Sequence, residues 1–182
     1  MPHSDEALRP WILGELQRLN IVPWVSPLPA DVVDVGAGAG TWLDFLKPHI
    51  PASRWTAVEA WEPYLAQYGL WERYDEVILA DARETALPEA DLYVFGDVLE
   101  HMPAPDAVAL WDRARAVAAW LVINLPVRRY EQGALNGNPF EVHHHHWDTA
   151  SMLESFAGIV ASHDGFPETG SVVGAFIAKG LT

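Results

Sequence analysis

Residues 32–40 read Val-Val-Asp-Val-Gly-Ala-Gly-Ala-Gly, an apolar run that carries one acid and then breaks into three glycines at alternate positions. Residues 41–46 read Thr-Trp-Leu-Asp-Phe-Leu and have the apolar spacing of a helix. The pattern predicts a buried strand, a glycine turn and a helix. Because glycine has no side chain, a ligand at such a turn can lie directly against the backbone N–H groups.

The spacing of the glycines discriminates between cofactors. The dinucleotide-binding turn G-x-G-x-x-G would require glycine at position 41, where this chain has threonine. The arrangement of Asp34, Gly36, Gly38 and Gly40 resembles motif I of the class I S-adenosylmethionine (SAM)-dependent methyltransferases. The resemblance implies that Asp34 lies near the methionine end of SAM and that the glycines allow the cofactor to pass close to the backbone. A turn with a purely structural role is the alternative.

Length and composition set the outer limits. The chain has 182 residues, half of them apolar, which predicts a single domain over residues 1–182 with a substantial core. Within it, residues 1–30 are predicted to form an N-terminal helix and an extended approach to the first strand. We find neither an apolar run long enough to span a membrane nor an export signal, so the sequence predicts a cytoplasmic protein without a membrane partner. Cysteine is absent, which excludes thiolate metal sites and a cysteine nucleophile.

The charge balance argues against nucleic-acid substrates. The formal net charge is -14, and only 11 residues are Lys or Arg. Proteins that bind nucleic acids obtain much of their affinity by neutralising phosphates with basic side chains. We therefore expect no nucleic-acid partner, and the acidic surface is explained most simply by solubility.

Short apolar runs alternate with helical segments along the rest of the chain. Strands are predicted at 32–35, 55–59, 76–80, 91–96, 120–124, 158–163 and 171–179, and helices at 5–20, 40–47, 61–69, 105–117 and 149–156. This alternation predicts an α/β fold with a doubly wound, mostly parallel sheet and helices on both faces. The last two strands have no helix between them and should form an antiparallel hairpin. A Rossmann-like sheet of seven strands with a closing hairpin is also what the methyltransferase resemblance implies.

Two further strand ends match the same cofactor. Glu59 ends the second strand, about twenty residues after the glycines, where an acid commonly binds ribose hydroxyls. A carboxylate suits this role because it can accept hydrogen bonds from both hydroxyls of a diol. Asp81-Ala82 follow the third strand, and the resemblance implies that Asp81 faces the adenine amino group while the backbone of Ala82 pairs with the ring. The alternatives are a solvated acid at 59 and an ordinary loop at 81–82.

Gly-Asp-Val-Leu-Glu-His, residues 96–101, follows the fourth strand and resembles motif IV of the family. The resemblance implies that Asp97 lies where the methyl donor and acceptor meet, so it contacts both the cofactor and the reacting groups. Glu100 and His101 would position the acceptor or take its proton. In some relatives the acid, the Glu and the His together hold a divalent cation. We consider a metal possible here but do not favour it.

Residues 125–147, after the fifth strand, form a long segment without clear periodicity, which is typical of a binding loop or lid. We expect this lid to cover the acceptor side of the cleft. It includes four consecutive histidines, 143–146, which we interpret as native, and one of them, taken as His144, is a candidate base alongside His101. The alternatives are a metal cluster and plain polar lid chemistry. Trp147 is the tryptophan most expected to line the site.

The sequence therefore predicts an enzyme that moves the methyl group of SAM to an oxygen or nitrogen atom of a small-molecule acceptor, releasing S-adenosylhomocysteine. Other hypotheses remain open: a SAM-binding partner or sensor without catalysis, a methyltransferase for proteins, peptides or carrier-bound substrates, and a nicotinamide-dependent oxidoreductase. Threonine at position 41 and the closing hairpin disfavour the last of these. The acceptor and the oligomeric state do not follow from the sequence.

Overall fold

The computed structural model describes residues 6–22, 30–165 and 172–182. In chain order the described helices and strands are α1 Arg9–Arg18, β1 Ala30–Val35, α2 Thr41–Leu46, β2 Ser53–Glu59, α3 Glu62–Gln67, α4 Leu70–Arg73, β3 Glu76–Leu79, β4 Ala90–Gly96, α5 Ala104–Val117, β5 Ala118–Pro126, α6 Thr149–Ser155, β6 Ile159–His163 and β7 Val173–Lys179. Most of the predicted approach segment, residues 23–29, lies outside the described residues.

Seven strands in the described part of the chain form one sheet in the order β3-β2-β1-β4-β5-β7-β6. The first five strands are parallel, whereas β7 is antiparallel to both β5 and β6. The predicted α/β fold with a closing antiparallel hairpin is confirmed. The sequence order reverses beside β1, where β2 and β4 flank it, and this is the point at which open α/β sheets bind ligands.

Successive side chains of a strand point to opposite faces of the sheet. The central strands are buried on both faces, so each of them contributes to two cores. One core lies between the sheet and the N-terminal helices, and it contains Ile12, Leu43 and Trp55. The other lies under α5 and α6 and contains Phe95 and Trp111. This burial on two sides explains why the parallel strands appear in the sequence as continuous apolar runs.

Most boundaries differ from the prediction by a few residues, and two differences have a clear cause. β5 extends to Pro126, because its pairing with β7 continues to the Pro126–Val173 pair. The helix predicted over 61–69 is observed as α3, and a second short helix that was not predicted, α4, follows it after Gly69, whose left-handed backbone with φ of 61° separates the two. Among the described residues, no helix combines the length and the apolar character needed to cross a lipid bilayer.

Candidate functional site

A cleft of about 670 Å³ opens at the carboxyl ends of β1, β2 and β4. Its volume lies within the range of small-molecule sites. The strand ends contribute one side of the lining, and the segment after β5 contributes the other. The cleft therefore lies where the predicted cofactor and acceptor regions meet.

The glycine turn after β1 presents its backbone to this cleft. Gly36, Gly38 and Gly40 have φ angles of 65°, 51° and 72°, values that residues with a side chain rarely adopt. At Gly36 a Cβ atom would also lie 2.7 Å from Cγ2 of Val98. Gly36 and Gly38 line the cleft, but Gly40, predicted to contact the cofactor, does not. Gly40 is the residue that precedes α2, so it forms the far side of the turn.

Glu59 connects this turn to the end of β2. Its Oε2 atom accepts a hydrogen bond from the Gly38 N–H at 2.9 Å, and its Oε1 atom accepts one from the Trp61 N–H at 2.8 Å. Burial raises the pKa of Glu59, while these two backbone donors act in the opposite direction. Because each carboxylate oxygen has a second acceptor position, Glu59 can still bind a diol in the cleft.

Asp34, predicted to lie near the methionine end of the cofactor, is not among the residues that line the cleft. Its side chain is fully buried and is absent from the cleft lining, and its Oδ2 atom accepts a hydrogen bond of 2.6 Å from the Tyr74 hydroxyl. Burial raises the pKa of Asp34 to about 7, and the nearby Glu59 adds to this effect, whereas the Tyr74 hydroxyl opposes it. Asp34 is therefore bonded to Tyr74, the residue after α4, at the end of β1 that leads into the turn.

Arg73 braces the same turn, and nothing in the sequence pattern indicated this role. Its guanidinium donates to the Ala39 carbonyl at 2.7 Å and to the Gly40 carbonyl at 3.2 Å, and it forms an ion pair with Asp44 at 2.7 Å. A Cβ atom at Gly40 would lie 2.6 Å from the guanidinium nitrogens. The third glycine therefore makes room for the brace that holds the turn.

Asp81 and Ala82 line the cleft after β3, as predicted for the adenine end. The Asp81 carboxylate is already bound, because Arg83 donates to both of its oxygens and forms an ion pair of 2.5 Å with it. The side-chain hydrogen bond from Arg83 is the main reason that the pKa of Asp81 is lowered. Asp81 thus remains ionised and fixed in position beside the backbone of Ala82.

Asp97 follows β4 with an unusual backbone. Its φ angle is 54°, which is rare for a residue with a side chain and is found at functional positions. Its N–H donates to the Asn124 carbonyl at 2.7 Å, so the end of β5 holds the conformation in place. Gly96, just before it, lies against the Trp42 indole, and a Cβ atom there would overlap the indole nitrogen. Asp97 is thereby presented to the cleft, which it lines together with Trp42.

Glu100 and His101 line the cleft beyond Asp97. Burial, together with the Asp97 charge, raises the pKa of Glu100 well above its usual range. Burial lowers the pKa of His101 to about 4, and the neighbouring His143 contributes to this decrease. His101 is therefore neutral near pH 7. Its Nδ1 atom lies 3.3 Å from the Val142 carbonyl, which can only accept, so Nδ1 carries the ring proton.

The lid is attached to the cofactor side of the molecule. Pro139–Glu141 form a short 3₁₀ helix, and the Tyr64 hydroxyl of α3 donates to Glu141 Oε1 at 2.8 Å. Gln132 donates to the Glu141 backbone carbonyl at 2.8 Å. Gln132, Phe140 and Glu141 all line the cleft. The lid thus contributes to the lining of the cleft and is held to α3 by a hydrogen bond.

The histidine run divides between the cleft and the surface. His143 lines the cleft, and its ring centre lies 4.8 Å from that of His101. His144, the predicted base, is exposed and outside the cleft, because the N–H groups of His144 and His145 are turned towards the Glu100 carbonyl. Trp147 is also outside it, since its indole is buried and donates to the Leu99 carbonyl. In an extended segment, alternate histidines point in opposite directions, but the sequence does not show which of them point into the cleft.

Comparison with known proteins finds solved structures of similar fold but no match at the level of sequence families. No protein-family model matches the sequence, and no curated protein matches it. Solved structures do match. The N-terminal domain of EvdMO1, crystallised with SAH, has a TM-score of 0.64 and 15% identity over 97% of this chain and 82% of its own.

Two methyltransferases give similar results. A 1,6-didemethyltoxoflavin-N1-methyltransferase from Burkholderia thailandensis, crystallised with 1,6-didemethyltoxoflavin and S-adenosylhomocysteine, has a TM-score of 0.65 and 20% identity over 97% of this chain and 79% of its own. A putative O-methyltransferase from Nostoc punctiforme has a TM-score of 0.65 and 16% identity, and the match covers 95% of this chain but 56% of the other. The chain therefore has the fold of the class I SAM-dependent methyltransferases.

Proposed function

We propose that this chain transfers the methyl group of SAM to an oxygen or nitrogen atom of a small-molecule acceptor. The observation that carries the proposal is the Glu59 carboxylate, which is hydrogen-bonded to the Gly38 N–H of the glycine turn and still faces the cleft. One buried acid thus joins the two segments that would hold the sugar and the amino-acid part of the cofactor. The similarity of the fold to structures crystallised with SAH supports the same assignment.

The residues on the cofactor side of the cleft offer hydrogen-bonding groups that match the parts of SAM. The backbone at Gly36 and Gly38 would contact the methionine portion, Glu59 the ribose diol, and Asp81 with Ala82 the adenine. SAM itself supplies the activated methyl group, so the chain needs to bind, orient and desolvate the reactants. The carboxylates of Glu59 and Asp97 in this cleft also favour a ligand that carries a positive sulfonium.

On the acceptor side, His101 and Glu100 would have different roles. A pKa near 4 makes the imidazole of His101 a weak base, so its free Nε2 lone pair is suited to orienting an acceptor hydroxyl or amine. Burial raises the pKa of Glu100, so its ionised carboxylate would be a stronger base than a free one and could receive the acceptor proton. Asp97 would contact the reacting groups between them. The lid, closed by the bond from Tyr64 to Glu141, would exclude water.

Isothermal titration calorimetry with S-adenosylhomocysteine tests the cofactor assignment. We expect Glu59→Gln to weaken binding about 10- to 100-fold, because it replaces a charged acceptor of two backbone N–H groups by a neutral amide. Glu62→Gln is the matched control, since Glu62 is exposed and outside the cleft. Absence of binding by the folded wild-type protein would overturn the proposal.

The transfer reaction needs a separate experiment. Wild-type protein and His101→Gln are incubated with SAM carrying a labelled methyl group and with fractions of small metabolites. We expect labelled small molecules with the wild-type protein and markedly fewer with the variant. Label that appears in protein instead would indicate a peptide or carrier substrate, and SAH binding without any labelled product would favour a SAM-binding partner protein.

A further inference from the structure

We propose that Glu100, His101 and His143 form a binding site for a divalent transition-metal ion that ties the lid to the end of β4. One potential ligand atom from each residue lies within 4.8 Å of the other two. The sequence did not favour a metal, although it allowed that the histidine run and the acids of residues 97–100 could share one. The structure brings them together because the backbone of the histidine run is hydrogen-bonded to the Glu100 carbonyl.

The Glu100 carboxylate is the first observation that points to a cation. Its side chain is 1% exposed, and no hydrogen bond of normal geometry reaches either oxygen from the residues that the structure describes. A buried carboxylate is costly unless it is paired, hydrogen-bonded or bound to a metal. The neighbouring Asp97 adds a second negative charge. An ion bound at the Glu100 oxygens would therefore supply the missing partner.

The two imidazoles are the second observation, and it is independent of the first. Nδ1 of His101 lies 3.3 Å from the Val142 carbonyl, and Nδ1 of His143 lies 2.6 Å from the Tyr130 carbonyl. Because a carbonyl can only accept, both Nδ1 atoms carry the ring proton and both Nε2 atoms keep a lone pair. Metal-binding histidines have this arrangement, in which a backbone carbonyl fixes the ring and its tautomer.

Distances and donor types define the class of ion. Nε2 of His101 lies 4.0 Å from Oε1 of Glu100. Ligand atoms around tetrahedral Zn²⁺ lie about 3.4 Å apart, so the three groups need to approach by about 1 Å to close around an ion. Two imidazoles and one carboxylate form the ligand set of open Zn²⁺ sites and of facial Fe²⁺ sites, whereas Mg²⁺ prefers oxygen ligands.

The location suggests what the ion would do. Glu100, His101 and His143 all line the cleft, so an open coordination position would face the acceptor. If the proposed methyl transfer is correct, the ion would replace the direct contacts of His101 and Glu100 with the acceptor: it would bind the acceptor oxygen itself and lower its pKa. Because one ligand comes from the lid, metal binding would also hold the lid closed.

The test uses protein purified without a polyhistidine tag, stripped with a chelator and titrated with Zn²⁺ against a chromogenic competitor. We expect one tightly bound Zn²⁺ per chain and, with Co²⁺, the visible absorption of a four-coordinate ion. Glu100→Gln, His101→Asn and His143→Asn should each weaken Zn²⁺ binding more than about 100-fold, because loss even of groups that only support a ligand costs about 10- to 100-fold. His144→Asn, an exposed neighbour in the same run, should change it less than about twofold.

Each other outcome has a defined meaning. Zn²⁺ affinity that survives Glu100→Gln and falls in a His145→Asn/His146→Asn double variant would show a surface chelate of the histidine run and would overturn the proposal. Absence of stoichiometric binding by the wild-type protein would also overturn it. If Glu100→Gln does not fold, His143→Asn decides, because His143 is only partly buried. Calorimetry with SAH on the same samples separates failure of the metal site from failure of the methyltransferase proposal.

Discussion

The buried Asp34 carboxyl should make the stability of the ligand-free protein fall as the pH rises. The folded chain holds the pKa of Asp34 at about 7, against an ordinary value of 3.8. Between these two values the folded state binds a proton that the unfolded state has released. Each pH unit in this window therefore lowers the free energy of unfolding by about 1.4 kcal/mol, to a total of about 4 kcal/mol.

Asp34→Asn isolates this contribution, because the amide keeps the size of the side chain and its oxygen can still accept from the Tyr74 hydroxyl. The free energies of unfolding of wild type and variant are measured by urea titration at pH 5, 6, 7 and 8. We expect the variant to gain about 2 kcal/mol relative to the wild type between pH 5 and pH 7, and little more above pH 8. Comparing differences across pH removes the constant cost of the new amide.

Two results would refute this reasoning. Parallel pH profiles for the two proteins, within about 0.5 kcal/mol, would mean that Asp34 ionises in the folded state as easily as in the unfolded chain. A gain that grows as the pH falls would have the wrong sign. Tyr74→Phe gives an independent check, because loss of the hydroxyl that stabilises the carboxylate should raise the pKa of Asp34 further and extend the slope above pH 7.

Three further predictions concern the cleft. Gly96→Ala should destabilise the fold by about 1–3 kcal/mol in urea unfolding, because the new methyl group overlaps Trp42, and Trp42→Phe in the same chain should recover part of the loss. Arg73→Lys should weaken SAH binding about 10-fold in calorimetry, because the turn loses its bonds at the Ala39 and Gly40 carbonyls. Tyr64→Phe should increase hydrogen exchange and proteolysis within residues 130–146, because the lid loses its bond to α3.

Matched controls make these predictions specific. Arg54→Lys changes an arginine whose ion pair with Asp31 is exposed, and SAH affinity should be unchanged. Tyr93→Phe removes a hydroxyl that donates to the Pro88 carbonyl and not to the lid, and lid exchange should remain as in the wild type. If a control and its test variant behave alike, the assigned contact is not the cause of the effect.

Much of the fold could be predicted from the sequence because parallel strands buried on both faces form continuous apolar runs. β1, β2 and β4 were predicted to within two residues, since each is bounded by a turn or by polar residues. β5 was predicted too short, because its last residues are held by pairing with β7, a contact that lies about fifty positions away in sequence. Local pattern identifies the strand and not the extent of its pairing.

The site was predicted less completely, for a related reason. The carboxyl ends of parallel strands share one edge of the sheet, so Glu59 and Asp97 could be placed beside the glycine turn without coordinates. Arg73 and Tyr74 act on the turn from 33 to 40 residues away, and no short motif announces such contacts. The same limit applies to Asp34, because its hydrogen bond with the distant Tyr74 could not be predicted from the motif around it.

The histidine run shows how the lid is joined to the acceptor side of the cleft. The N–H groups of His144 and His145 both donate to the Glu100 carbonyl, so the lid is hydrogen-bonded to the segment that follows β4. Glu59 and the glycine turn are not part of this connection. Substitutions at residues 143–146 should therefore alter the acceptor side while SAH affinity stays near that of the wild type, whereas Glu141 interacts electrostatically with Glu59 and falls outside this expectation. The fold can then keep one cofactor site while its lid changes, which is how loops on a fixed scaffold acquire new substrates.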